Sequence, residues 1–295
     1  MTTSSIAAPF ARPTLSPTAF IDNCHALLSA GDIGRMGDLA DTLDSIRRDL
    51  SIEEWQAFIA DVVAPHPIRQ LLHEEPFARR AYEKPRGYAG DAPMLDLVYA
   101  DRRPLAPLTM LGSTLYDWTI TSPGCRSVRA RRDILAALID QVASERSSPR
   151  ILSVACGHLR EGQRSEAVRS GAIAEFVALD QDRESLAVVA QEQRAHNVTP
   201  VHATIRRLLV SGSAFGSFDL AYAAGLYDYL EESVAQALTA VMFRSLRPGG
   251  VLLIGNFAPN LVDIGYMEAI MDWWMCLRRD PAGGRSIYRR PLEHQ

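Results

Sequence analysis

One glycine and one carboxylate, 23 positions apart, are the residues around which chemistry is most readily built in this chain. Gly157 stands at the tip of the apolar run "RILSVACG" (150–157), and Asp180 closes a second run, "FVALD" (176–180). A glycine where a buried strand ends lets a ligand come close to the backbone, because no Cβ intervenes. Its other use is a tight strand-to-helix turn and nothing more. A carboxylate about twenty residues further on takes both hydroxyls of a ribose. Its other use is to cap the next helix, a role for which Asp182 is better placed.

A dinucleotide requires G-x-G-x-x-G, so that its pyrophosphate rests on a bare helix N-terminus. Here the turn reads Ala155-Cys156-Gly157-His158-Leu159-Arg160, with one glycine and two bulky residues where that cradle belongs. That argues against NAD, and no G-x-x-x-x-G-K-[ST] occurs to hold a nucleotide triphosphate. A nucleoside ligand without phosphates, S-adenosylmethionine, needs only the glycine and the acid.

Such residues must be positioned by a sheet. After Ser147 the sequence alternates short apolar runs with helical stretches. Strands are expected at "RILSVAC", "AEFVALD", "PVHATI", "FDLAYAAG" and "VLLIGNFAP". Helices are expected at "REGQRSEAVRSG", "RESLAVVAQEQRAHN" and "SVAQALTAVMFRSL". That rhythm means βαβ units: an α/β fold with a doubly wound, mostly parallel sheet. Ligands of such sheets lie beyond the carboxyl ends of the strands. That rim holds Ala155, Gly157, Asp180, Gln181, Thr204, Ile205, Ala224 and Gly225 as candidate cofactor-binding residues, with Ile205 as an apolar wall for an adenine.

Residues 17–122 read as a helical N-terminal domain or lid, from capped segments such as "SPTAFIDNCHALLSAG" and "SIEEWQAFIADVV". Residues 1–16, rich in Ser, Thr and Pro, read as a flexible tail, and residues 123–295 as the ligand-binding α/β domain. Within the helical part, "RGYAGD" (86–91) is either a linker turn or a lid that lays Tyr88 across the cofactor.

The bulk properties narrow the class. The 295 residues carry a formal net charge of -4, with 47% hydrophobic and 22% charged residues. Nothing there attracts nucleic acid or an anionic membrane. The basic cluster "RSVRARR" (126–132) reads as the exposed start of an amphipathic helix. Four scattered cysteines form no C-x-x-C pair, no apolar run approaches a bilayer span, and the N-terminus lacks a signal-peptide core, so a cytoplasmic protein is expected. Seven histidines include no H-E-x-x-H, so no metal site is indicated. His158 reads as a turn residue rather than a base.

Four motifs in order, "VACGHLRE", Asp180 of "FVALD", "FDLAYAAG" and "LRPGGVLLI", resemble the class I S-adenosylmethionine-dependent methyltransferases over about residues 125–275. "KPRGYAGD", "GLYDYL", "NFAPN" and "MDWW" resemble a bacterial group associated with making 3-hydroxy fatty acid methyl esters. These resemblances imply methyl transfer to a small-molecule acceptor, a carboxylate, hydroxyl or amine, by in-line displacement. A module that binds S-adenosylmethionine without catalysis is the alternative. "AGLYDYLEE" (224–232) leaves the fourth strand against the expected methyl position. Tyr227 and Tyr229 offer electron-rich faces to a sulfonium, and Asp228 can orient an acceptor or take its proton. The same three serve equally as packing and capping residues. Trp273 and Trp274 either pack in the core or cap the acceptor pocket. After "MDWWMCLRRD" too little sequence remains for the closing strand pair of that class. An open edge at the fifth strand, met by a homodimer or a covering segment, is therefore expected.

Overall fold

In the computed structural model the chain is described at residues 16–99, 107–211, 215–258 and 261–275, and as backbone at 285–289. The expected tail, apart from Ser16, and Cys276 lie outside the described residues. Helices occupy the first part: α1 (Pro17–Ser29), α2 (Met36–Asp49), α3 (Ile52–Phe58), α4 (Pro67–Leu72), α5 (Pro76–Glu83), α6 (Ala92–Tyr99) and α7 (Met110–Thr119). Their starts are written locally. Ser16 accepts from the Ala19 N–H, Ser51 and Glu54 form a reciprocal capping box, and Thr109 accepts from the Gly112 N–H.

The 23-residue helix α8 (Pro123–Glu145) leads into the sheet. Six strands follow: β1 (Arg150–Val154), β2 (Glu175–Asp180), β3 (Val198–His202), β4 (Phe218–Ala224), β5 (Leu246–Gly255) and β6 (Arg285–Arg289). They lie in the order β3-β2-β1-β4-β5-β6. The first five are parallel and β6 runs antiparallel to β5. The sheet is buried on both faces: Ile151, Phe176, Leu220 and Leu253 pack on the α8 side. Leu152, Val177, Ala221 and Leu252 pack on the opposite side, with α13 (Glu232–Arg244). Burial on both faces is why these strands read as continuous apolar runs.

Three expectations are corrected. "REGQRSEAVRSG" is two short helices, α9 (Arg160–Arg164) and α10 (Glu166–Arg169), split where the Ser165 hydroxyl caps the second. The helix after β2, α11 (Arg183–Glu192), stops short of Asn197. The third strand ends at His202, and Ile205 opens a helix instead, α12 (Ile205–Ser211). The outer edge of β5 meets a covering segment, one of the two alternatives expected: β6, with Val251 opposite Arg289 and Gly255 opposite Arg285.

A further helix, α14 (Ile264–Met271), belongs to neither sheet face. It packs on α2, where a Cβ on Gly265 would lie 2.6 Å from the backbone of Leu43 and Asp44. Buried Glu268 accepts from Arg47 at 2.5 and 2.8 Å and from the Trp55 indole at 2.8 Å. The helical core therefore takes residues from both ends of the chain, Ile21 and Leu43 together with Tyr266 and Ile270.

Candidate active site

The carboxyl ends of β1, β2 and β4 form the floor of a cavity of about 500 Å³. The turn after β1 alternates into the left-handed region at Ala155 (φ 56°), Gly157 (φ 53°) and Leu159 (φ 50°). Two of the three are not glycines, which makes this a strained turn held by its surroundings. The holding groups are visible. The Cys156 N–H donates to the Leu179 carbonyl at 3.1 Å, and the Gly157 N–H donates to Asp180 Oδ2 at 2.8 Å. A Cβ on Gly157 would sit 3.3 Å from Ala92, so helix α6 closes directly over the glycine.

Asp180 is 5% exposed. Its Oδ1 accepts from the Asp182 N–H at 2.8 Å, so each carboxylate oxygen takes one backbone amide. A carboxylate has about four acceptor positions, which leaves capacity for two hydroxyls on the cavity side. Burial pushes its pKa above the usual carboxylate range, while the amides of Asp182 and Gly157 oppose that. The helix-capping role falls to Asp182, which accepts from the Glu184 N–H.

The roof comes from the segment between α5 and α6, with Arg86, Gly87, Tyr88 and Gly90, and from Tyr229, Phe257 and Trp273. Three ion pairs tie that segment down: Arg80 to buried Asp91, Arg86 to Asp182 at 2.5 Å, and Lys84 to Asp272. Arg86 also donates to the Ser185 hydroxyl at 2.8 Å. The Trp273 indole donates to the Tyr229 hydroxyl at 2.8 Å, which donates onward to the Ala89 carbonyl at 3.1 Å. Gly90 (φ 76°) is required there, since a Cβ would meet the Tyr229 oxygen at 2.7 Å.

Of the residues singled out from the sequence, Tyr88, Ala155, Gly157, Asp180, Gln181, Ile205, Ala224, Gly225, Asp228 and Tyr229 line this one cavity. Thr204 and Tyr227 do not. Thr204 faces solvent, and its hydroxyl accepts from the Arg207 N–H at 3.3 Å because α12 begins beside it. Tyr227 lies two residues before Tyr229 in a single 3-10 turn (Tyr227–Tyr229), so the two rings point apart. Its hydroxyl meets Thr239 at 3.0 Å in the core beneath α13. Asp228 faces the cavity, yet its Oδ1 accepts from the Phe257 N–H at 2.7 Å and so fixes the loop after β5.

Gly225 has a different reason from the expected one. A Cβ there would stand 3.0 Å from the Arg131 guanidinium. The cluster 126–132, read as an exposed helix start, turns inward. Arg129 donates to the carbonyls of Val98 and Ile120, Arg132 is 3% exposed, and Arg131 lines the cavity. His158 lies beneath the turn, facing Asp96 at 2.9 Å. Arg160 and His158 hold Asp96 at a pKa of about 2 against the upward push of burial. Trp274 bonds Asp272 and is not on the cavity wall.

Residues 151–250 match the family model described as "Methyltransferase domain". Over that span the chain is similar to a methyltransferase domain, and the donor expected from the sequence is S-adenosylmethionine. No curated protein matches the sequence. A possible exported protein from Bordetella parapertussis has a solved structure with TM-score 0.54 at 17% identity, covering 68% of this chain and 79% of that one. The two share a fold. The N-methyltransferase NodS from Bradyrhizobium japonicum WM9, solved with S-adenosyl-L-homocysteine, gives 0.39 at 16% identity, covering 62% and 76%. CalS10, an amino pentose methyltransferase from Micromonospora echinaspora solved with S-adenosylmethionine bound, gives 0.37 at 18% identity, covering 54% and 61%.

The residues present fit that donor. Gly157 and Asp180 line the cavity, Asp180 with acceptor positions to spare, and Leu179, Ala203 and Ile205 give an apolar wall. Tyr88 and Tyr229, whose ring centroids are 6.4 Å apart, present faces suited to a sulfonium.

Proposed function

We infer that the protein methylates a small acceptor which arrives already ionised, a carboxylate, giving a methyl ester. When bound, the donor supplies an activated methyl on sulfur, passed on by in-line displacement. The observation that supports this choice of acceptor is that the two tyrosine hydroxyls at the cavity are poorly suited to act as a base. The Tyr229 hydroxyl is held between Trp273 and Ala89. Although Tyr229 as a whole is 37% exposed, that enclosed end is desolvated, which pushes its pKa up, with Asp228 adding to the effect. Asp228 keeps Oδ1 on the Phe257 amide, which fixes it as an orienting group. Tyr88 is likewise pushed up by burial and by Asp180. An alcohol or amine needs a base to lose its proton in the transfer, whereas a carboxylate does not.

The role left to these side chains is orientation. Asp180 holds the sugar, and the Tyr229–Trp273 pair keeps an aromatic face over the reacting centre. The lid segment, pinned by Arg80, Lys84 and Arg86, keeps water out. The resemblance of "GLYDYL" and "NFAPN" supports 3-hydroxy fatty acids as the acceptor class. A cytoplasmic location agrees with Cys24, Cys125 and Cys156 being free and buried. Among the described residues no helix is long and apolar enough to cross a membrane.

The test is release of S-adenosylhomocysteine with a 3-hydroxy fatty acid, its amide and its alcohol. Turnover with the acid alone is expected, with kcat flat between about pH 6 and 9, since the acceptor is ionised throughout. Turnover of the alcohol, or a rate governed by a group titrating near neutrality, contradicts the reading.

A further inference from the structure

Arg131 is the cation on the cavity wall with no assigned work. Its neighbours on α8 are engaged: Arg129 with two carbonyls, Arg132 with Asp133 and the face of Tyr99. Arg86, the other arginine at the cavity, is paired with Asp182 and Glu184. Among the described residues no carboxylate forms an ion pair with Arg131. The nearby acid, Glu161, is fully enclosed and receives the Tyr222 hydroxyl instead, feeling Arg131 only as a weaker charge. Among the described residues, the phenol of Tyr99 is its hydrogen-bonding side-chain neighbour. The fold has nevertheless made space for this side chain: it runs past Gly255, whose Cβ would lie 3.5 Å from Cδ, and ends against Gly225 at 3.0 Å. A half-buried guanidinium that forms no ion pair among the described residues is suited to meet an anion that arrives in the cavity.

Beyond Arg131 the cavity continues. Val128, Arg131 and Phe257 also line a second depression of about 480 Å³ between α8 and the end of β5, whose far wall is apolar. Ile134 and Val262, 37% and 49% exposed, stand on that wall. A single cation at the inner end of an apolar trough complements a molecule with an anionic head and an apolar tail.

We propose that Arg131 is the specificity-determining residue for the acceptor. It holds the acceptor's carboxylate beside the reacting methyl, while the groove between α8 and β5 takes the chain attached to it. This rests on the methyl-transfer reading and adds to it the residue and the surface that choose the acceptor. The carboxylate stays ionised throughout binding. In the transfer its oxygen lone pair forms the new bond to the methyl carbon as the carbon–sulfur bond breaks, and that bond's electron pair returns to sulfur.

Calorimetry on the full chain saturated with S-adenosylhomocysteine, titrated with octanoate and separately with octylamine, tests this. Octanoate binding and no octylamine binding are expected. R131Q should weaken octanoate about ten- to a hundredfold, the usual loss of hydrogen bonds to a charged group. R131K, which keeps the charge and forgoes the fork, should recover part of it. S-adenosylhomocysteine affinity should stay unchanged in both, which also shows that the variants are folded. In the groove, I134D should weaken octanoate more than acetate. The proposal is overturned if octanoate does not bind, if octylamine binds as well, or if R131Q leaves octanoate unaffected. It is equally overturned if R131Q weakens S-adenosylhomocysteine instead, since Arg131 would then serve the donor's own carboxylate. Failure of the wild-type chain to bind S-adenosylhomocysteine would sink the methyl-transfer reading itself.

Discussion

The floor and the roof of the cavity are built by different means. The floor is main chain: strand ends, a left-handed turn, and a carboxylate holding two backbone amides. The roof is side chain: Arg86 reaches 96 positions to Asp182, Trp273 reaches 44 to Tyr229, and Lys84 reaches 188 to Asp272. A floor of backbone is rigid and indifferent to much substitution. A roof held by a few side-chain pairs depends on each of those residues, and if the segment is a lid, as proposed, its opening costs those pairs.

The contrast gives variants of graded severity. The largest effect belongs to the floor: Asp180→Ala should weaken S-adenosylhomocysteine about a hundredfold or more, as two bonds to a charged acceptor are lost, read by calorimetry. Unchanged affinity would remove Asp180 from the ligand.

Next comes a buried carboxylate of the helical part. Glu75 is fully buried at the head of α5, and burial lifts its pKa to about 7 against the help of the Ala78 amide and Thr119. A raised carboxylate favours the protonated folded form. Its contribution is therefore complete below about pH 4.5 and is lost as pH rises through about 7. The amount at stake is on the order of 3 kcal/mol. Relative to wild type, Glu75→Gln should hold its melting temperature across that window; parallel curves for the two proteins would show that Glu75 does not titrate there.

Gly90→Ala pushes a methyl against the Tyr229 oxygen and into a left-handed backbone position, at a cost of about 1–3 kcal/mol. It should lower kcat more than donor affinity; an unaltered kcat would separate the Tyr229–Trp273 pair from the reaction. The mildest is Arg86→Ala, which should raise the KM for the donor about three- to tenfold with little change in melting temperature, since only lid closure is weakened. A large loss of stability would make that segment structural rather than mobile.

The same division explains how much of the molecule could be read in advance. The strands of the parallel sheet and the Gly157–Asp180 pair follow from local patterns: apolar runs, a glycine, an acid at a set distance. Ile205 reaches the cavity from the start of α12 rather than from a strand end, because its position just after β3 sets its place whatever its local conformation. Helix α14 gave no signal, since "IGYMEAIM" is buried all round and carries no helical period. Tyr227 and Tyr229 look alike in sequence and are separated only by the sense of a 3-10 turn. Arg131 was hidden in a run of basic residues whose usual meaning is a solvated face. Its inward direction depends on two glycines, 94 and 124 positions away, that leave it room.

A calorimetric comparison of S-adenosylhomocysteine and NAD on the unaltered chain weighs the whole interpretation. Saturable one-to-one binding of S-adenosylhomocysteine, with no heat from NAD, is the expected result. Binding of NAD, or of neither, would contradict a phosphate-free nucleoside held on this floor by Asp180.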